Sequence, residues 1–182
     1  MPTKSNRDWA VMFDLDETVV LSGALEGLRR RRAWGAVRAA FGQTHLPGGT
    51  LEFIRSVRKI AQLGIVTKAP RRYAEQLLAF HGIKMPVLAA YHDVKKIKPN
   101  PEALLLASQK LGIDVSRCIY VGDDANDVRS AGAANVFPIG VCWGKQVEIG
   151  LSLVCKSWDE VYAEIVRLIH GSDELGYITK YR

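Results

Sequence analysis

A chain of 182 residues, 48% hydrophobic and 24% charged, is long enough to bury a core without disulfides and suits one domain with a small insertion at most. Its three cysteines (Cys118, Cys142, Cys155) are odd in number, which argues against a disulfide scaffold and reads as free thiols in a reducing compartment. The net charge of +6 inclines the surface toward anionic ligands, but is also a common solubility setting. The amino terminus carries no signal-peptide core and no apolar run approaches a membrane span, so a cytoplasmic protein with no membrane partner is expected. The histidines His45, His81, His92 and His170 show no metal-ligand spacing and are given no function.

Trp9 to Phe13 is an unbroken apolar run, the pattern of a parallel strand buried on both faces. It ends in Asp14 and Asp16. On an extended segment this spacing points both carboxylates to one side, at the strand end where open α/β sheets bind ligands. They repel each other unless a cation or a shared proton lies between them. Ser22 to Gly42 has a broken helical period and contains the run Arg29–Arg32. Four consecutive residues cover all sides of a helix, so at least one of these arginines faces something other than open solvent. The run reads either as a clamp for a second anionic group or as a solvated face.

His45 to Gly49 is a turn, and Thr50 can cap a helix reaching about Leu63, with Gly64 as its stop. Ile65 to Thr67 then forms a short buried strand. Pro70 opens a helix bearing Tyr73, Leu77 and Phe80, and Val87 to Tyr91 is a third strand. Asn100-Pro101 reads as a cap and first turn, and Gly112 closes that helix. Cys118 to Val121 is a fourth strand, followed by an Ala/Gly-rich helix from about Asn126. A fifth strand lies within Val136 to Trp143, where Pro138 argues for an edge or irregular position. A brief strand near Leu153-Val154 and a capping box at Ser157 and Glu160 precede a last helix with Val161, Ile165 and Leu168. Gly171 to Arg182 has no clear period and is expected to be loose or packed on a partner. The alternation predicts an α/β fold with a doubly wound, mostly parallel, Rossmann-like sheet.

Four separated features carry chemistry. Asp14-x-Asp16-x-Thr18 follows the first strand, and Thr67 follows the second. Lys98 stands in Lys98-Pro99-Asn100-Pro101-Glu102, and Gly122-Asp123-Asp124-Ala125-Asn126-Asp127 follows the fourth strand. Three of the four follow strands, which gathers their side chains at one sheet edge. Singly, each has a plain reading: Thr67 as a cap, Lys98 as a solvated lysine, the aspartates as a helix start complementing its dipole, and Glu17 as exposed.

In order and spacing these features resemble the four motifs of the haloacid dehalogenase-like superfamily of phosphohydrolases, over about Trp9 to Gly144. The turn Leu46-Pro47-Gly48-Gly49, the Lys-Pro-x-Pro-Glu segment, the Val-Gly-Asp block and Val141-Cys142-Trp143-Gly144 look closest to its phosphoglycolate-phosphatase-like members. The resemblance implies a Mg²⁺-dependent phosphatase that hydrolyses a phosphate monoester through an aspartyl-phosphate on Asp14, with Asp16 as general acid and then base. It implies Mg²⁺ held by the Asp14 carboxylate, the Asp16 backbone carbonyl and the Asp123 carboxylate, with Asp127 assisting. Thr67 and Lys98 would bind the phosphoryl group. Lys68, where the family more often has Asn, would add positive charge near it. Asp124, where Ser or Thr is frequent, would add negative charge near the metal. Elementary chemistry agrees, because a carboxylate cannot approach a phosphate dianion without charge neutralisation.

The family gains specificity from inserted caps. Here about 30 residues separate Thr18 from Thr50, so a minimal helical cap over residues 21–42 is expected. It would be set in a core of 1–20 and 43–170, with 171–182 as a tail. A small phosphorylated metabolite is the expected substrate, with nucleic acid or a phosphoprotein as minority readings, and a monomer or homodimer as the assembly. A phosphotransferase or phosphomutase would use the same chemistry. The fold would also serve a catalytically idle regulatory module or a dehalogenase, but the intact acidic set favours phosphate chemistry.

Overall fold

The computed structural model describes residues 7–144 and 154–171. The expectations for residues 1–6, for Leu153 and for 172–182 lie outside the described residues. Six strands form one sheet: β1 (Ala10–Phe13), β2 (Gln62–Val66), β3 (Val87–Ala89), β4 (Cys118–Gly122), β5 (Phe137–Val141) and β6 (Val154–Cys155). Every pairing is parallel, in the order β3-β2-β1-β4-β5-β6.

The two-residue period of β1 divides its side chains between two apolar clusters. Val11 and Phe13 join one, and Ala10 and Met12 the other. In β4, Ile119 and Val121 face the first cluster, and Cys118 and Tyr120 the second. Helices α3 (Thr50–Ile60), α4 (Arg71–Phe80) and α7 (Trp158–Gly171) cover the first face. Helices α5 (Glu102–Leu111) and α6 (Ala125–Ala134) cover the second. This is the doubly wound α/β architecture expected from the alternation. Strand order reverses at β1, so the crevice beyond the carboxyl ends of β1 and β4 is the topological switch point. No helix among the described residues is long and apolar enough to cross a membrane.

Several local expectations need correction. The Ser22–Gly42 segment is not one helix. It contains α1 (Glu26–Arg30) and α2 (Trp34–Ala39), flanked by single 3₁₀ turns at Gly23–Leu25 and Phe41–Gln43. Arg32 adopts φ +56, a left-handed conformation that stops α1 and separates it from α2. Thr50 does not cap α3. Gly49 occupies that position at φ +80, and the Thr50 hydroxyl instead donates to Pro47 O (2.6 Å) and accepts from Trp158 Nε1 (2.7 Å). Trp158 stacks on Phe53 with ring centroids 4.2 Å apart, so one polar contact and one ring contact dock α7 on α3. Gly64 does not end a helix but sits inside β2, where an added Cβ would lie 3.5 Å from Leu111 and Val87.

Pro138 lies within β5, not on an edge strand. Only Gly140 and Val141 pair with β6, so the strand side away from β4 has no ladder partner at Pro138 among the described residues. Pro101 rather than Asn100 is the N-cap of α5 and the helix starts at Glu102; Asn100, one residue earlier, accepts from Glu102 N (3.1 Å) through its side chain. Ser157 caps α7 by accepting from Glu160 N (3.2 Å), while the Glu160 carboxylate reaches Lys156 N (2.8 Å) and not the Ser157 backbone. All three cysteines are free, and Cys142 is half-buried.

Candidate active site

The last ladder bonds set two of the expected groups at the sheet edge. Asp14 N donates to Val121 O (2.9 Å), and Thr67 N donates to Ala89 O (2.9 Å). Lys98 arrives from the loop before α5 and is 4% exposed. Its ammonium donates to Asp14 Oδ1 (2.6 Å), Asp127 Oδ1 (2.7 Å) and the Tyr120 hydroxyl (2.7 Å). Against the cost of burial, Asp14 and Asp127 hold this ammonium above the usual lysine range. Burial pushes the Asp14 carboxyl up to about 8, opposed by Lys98 and reinforced by Asp127 and Asp123.

Asp127 is fully occupied. Its Oδ1 accepts from Lys98 and from Tyr120 OH (3.1 Å), and its Oδ2 accepts from Asp123 N and Asp124 N (3.2 Å each). Two lone-pair directions on each oxygen meet two donors. The carboxylate packs so tightly on β4 that a Cβ at Gly122 would fall 2.4 Å from Asp127 Oδ2. Gly122 is thus required for close approach, not for backbone freedom.

Asp123 is held by the Thr18 hydroxyl, which donates to its Oδ1 (2.7 Å). Burial pushes its carboxyl up to about 6; the Thr18 bond opposes this, and Asp127 and Asp124 add to it. Asp124 caps α6 by accepting from Asn126 N (2.6 Å) and Asp127 N (3.0 Å). Burial would raise its carboxyl, but the Lys68 ammonium at 3.0 Å outweighs this and leaves it below the usual range. Thr67 is buried, and its hydroxyl accepts from Ala69 N (3.0 Å) while keeping its own proton to donate.

Asp14 and Asp16 take different partners. Asp14 reaches Lys98, whereas Asp16 Oδ1 takes donors from Ser22 Oγ (2.5 Å) and Tyr73 OH (2.6 Å) and meets the Arg29 guanidinium. The chain leaves the strand after Phe13 and turns through Glu17 at φ +62. Glu17 is half-buried rather than exposed, and its Oε1 accepts from Ser22 N (2.8 Å). Arg30, Arg31 and Arg32 are exposed, and Arg29 alone in the run turns inward. A cavity of about 320 Å³ between α2 and α4, lined by Trp34, Val37, Phe41 and Tyr73, includes none of the expected site residues but shares Tyr73 with the surroundings of Asp16.

Donor atoms of Asp14, Asp123 and Asp127 lie within 4.8 Å of one another. These are hard oxygen donors, the chemistry that suits Mg²⁺. Lys98 pairs with Asp14 and Asp127 but not with Asp123, so the three carboxylates, when ionised, outnumber the ammonium by an excess of negative charge that a divalent cation would balance. The site therefore fits the implied metal, with Asp14 and Asp123 as the carboxylates whose oxygens remain open to it. Tyr120, Tyr73, Ser22 and Gly122 were missed as site residues. Tyr120 carried a signal, because a tyrosine inside a buried strand needs a partner for its hydroxyl.

The family model described as haloacid dehalogenase-like hydrolase matches residues 23–135. An N-acetylmuramic acid 6-phosphate phosphatase from Pseudomonas aeruginosa is 36% identical over 99 residues, 53% of this chain and 44% of that protein. A phosphoglycolate phosphatase from Xylella fastidiosa is 32% identical over 139 residues, 74% of this chain and 58% of its own. The chain thus spans about half the length of the curated relatives it matches. The crystal structure of a HAD phosphatase from Thermococcus onnurineus superposes with a TM-score of 0.73 at 19% identity, covering 90% of this chain and 98% of that one. At that identity the likeness speaks for the fold alone.

Proposed function

The chain belongs to the haloacid dehalogenase-like hydrolase family, and on that premise we propose that it is a Mg²⁺-dependent phosphomonoesterase acting on a small phosphorylated metabolite. The observation that carries this reading is the buried Lys98 ammonium shared by Asp14 and Asp127 at 2.6 and 2.7 Å, beside Asp123 at the switch point of the sheet. It is a site with a carboxylate nucleophile, a fixed cation and room in its charge balance for a divalent ion.

Asp14 attacks phosphorus, and the P–O bond to the leaving group breaks as an aspartyl-phosphate forms. Asp16 gives its proton to the leaving oxygen and then takes one from the water that cleaves the acyl phosphate. Lys98 holds Asp14 in line and balances charge on the phosphoryl oxygens, and the Thr67 hydroxyl donates to one of them. Lys68 adds positive charge at the rim while steadying Asp124. Asp14, Asp123 and the Asp16 carbonyl would hold Mg²⁺, which would supply the positive charge that neutralises the phosphate dianion. Asp127 positions Lys98 and the Asp123 backbone. Residues 21–42 serve as a reduced cap over this edge. The relatives' names, both phosphatases of small phosphorylated compounds, support the substrate class.

The test is phosphate release from an aryl phosphate and a panel of phosphorylated metabolites, with Mg²⁺ and with chelator. Release that requires Mg²⁺ is expected. A folded protein that binds Mg²⁺ yet releases phosphate from none of them would refute the assignment.

A further inference from the structure

The cavity between α2 and α4 has a chemistry of its own. Trp34, Val37, Phe41 and Tyr73 wall it, Arg38 and Arg72 also line it, and no carboxylate is among its described lining residues. Its volume of about 320 Å³ falls at the small end of ligand pockets, roughly 300–1,000 Å³. The Trp34 and Tyr73 ring centroids lie 6.0 Å apart at 50°, and those of Phe41 and Tyr73 6.0 Å apart at 68°. Neither pair is stacked, which leaves aromatic surface to line the cavity. The Tyr73 hydroxyl is already engaged, donating to Asp16 Oδ1 (2.6 Å) and accepting from Arg29 (3.2 Å), so Tyr73 offers the cavity its ring. Trp34 is 40% exposed, a large ring left within reach of solvent.

We propose that this cavity is a binding site for an aromatic monoanion, a flat ring system bearing one carboxylate. The ligand is a separate molecule from the phosphate ester, and the two sites share only Tyr73. The apolar walls take the ring. Arg38 and Arg72, both exposed and without an acidic partner among the described residues, take the charge. A guanidinium pairs with a carboxylate through two parallel bonds and also stacks on aromatic faces. Charge decides between occupants. From Glu26 to Gln43 the chain has five arginines against one glutamate, and Arg72 adds another cation to the cavity. A second copy docked through the same face would set these cations against each other. A neutral ring would leave them unused, and a bare anion would leave the aromatic walls unused. A ring-bearing anion satisfies both. None of Asp14, Asp16, Thr67, Lys68, Lys98 or Asp123 lines the cavity, so binding there needs neither Mg²⁺ nor a phosphoryl group, and the inference stands without the phosphatase reading.

The experiment titrates 2-naphthoate, 2-naphthamide and acetate into the full chain by calorimetry, while NMR follows the indole N–H signals of its four tryptophans. 2-Naphthoate should saturate with a Kd of about 1 mM or tighter, the affinity that about 13 non-hydrogen atoms give at ordinary ligand efficiency. It should bind about 5- to 20-fold tighter than the amide, the worth of two exposed ion pairs, and acetate should not saturate. The indole signal that disappears in Trp34→Phe should be the one that moves most. Arg38→Gln and Arg72→Gln should each weaken the acid about 2- to 5-fold and leave the amide in place. Trp34→Ala should weaken both about 3- to 10-fold. All three side chains are exposed, and unfolding curves would verify that the variants fold. Arg30→Gln removes an exposed charge that does not line the cavity and should change neither affinity. Asp14→Asn and chelator should likewise leave the Kd of the acid in place. Absence of saturation by 2-naphthoate up to about 10 mM, equal affinities for acid and amide, an equal effect of Arg30→Gln, or loss of binding in folded Asp14→Asn would each overturn the proposal.

Discussion

Replacing Asp127 with Asn separates a structural staple from a metal ligand. The carboxylate accepts from Lys98 and Tyr120 on one oxygen and from the Asp123 and Asp124 N–H groups on the other. An amide offers one oxygen and one NH₂, so in either orientation a donor faces donors. With the NH₂ toward the backbone, two buried N–H groups lose their acceptor, at about 1–3 kcal/mol each. With it toward Lys98, the ammonium loses one of its two carboxylates. Removing one partner of a buried pair costs about 3–5 kcal/mol, and the remaining Asp14 puts this case at the lower end. Relief of repulsion on Asp14 and Asp123, which Asp127 pushes upward, returns about 1 kcal/mol, roughly one pKa unit of interaction. The net loss is about 2–3 kcal/mol, a fall in Tm of about 5–10 °C for a domain of this size. Calorimetry without divalent cation at pH 7 measures it. An unchanged or raised Tm in Asp127→Asn, together with loss of Mg²⁺ binding, would refute the staple and make Asp127 a ligand.

Gly122→Ala places a methyl group 2.4 Å from Asp127 Oδ2, and should cost at least the ~1–3 kcal/mol of an overpacked core, read as a lowered denaturation midpoint. An unchanged midpoint would contradict the close approach. Tyr120→Phe removes the hydroxyl that accepts from Lys98 (2.7 Å) and whose one proton is shared between Val66 O (2.9 Å) and Asp127 Oδ1 (3.1 Å). It should cost about 1–2 kcal/mol in thermal unfolding, and a neutral result would mean that the hydroxyl is not needed there. The raised carboxyls, Asp14 to about 8 and Asp123 to about 6, mean that the folded state binds more protons than the unfolded one between about pH 4 and 8. These two groups therefore lower stability as pH rises through that window. Mg²⁺ bound at these carboxylates, as proposed, would compete with those protons, so a Tm increase from added Mg²⁺ should be larger at pH 8 than at pH 6; an equal increase at both would contradict the shifts.

The apolar runs before Asp14, Thr67 and Asp123 were legible because parallel strands buried on both faces leave an unbroken signature, and such strands deliver the residues after them to one edge. The segment between Ser22 and Gly42 misled because helical period says nothing of a left-handed residue such as Arg32. The spacing of Asp14 and Asp16 could not reveal that the strand ends before both. The arginine run did announce that one member turns inward, but only the fold shows that it is Arg29 and that it meets Asp16. Asp127 reads as one more acidic residue in the sequence, and its four donors come from β4, the loop bearing Lys98 and the start of α6. Thr50 looked like a cap because sequence cannot show the indole of Trp158, distant along the chain, reaching its hydroxyl.

The most direct test of the central claim, that Asp14 is the nucleophile of a phosphomonoesterase, is phosphate release by Asp14→Asn beside the wild type. It would use the best substrate of the panel with saturating Mg²⁺, and unfolding curves would verify that the variant folds. Asp14 is expected to be indispensable: release falls to background in the variant, and acid quenching of the turning-over wild type leaves phosphate on the peptide that contains Asp14. Sustained Mg²⁺-dependent release by folded Asp14→Asn would contradict the assignment and move the chemistry to another group of this site.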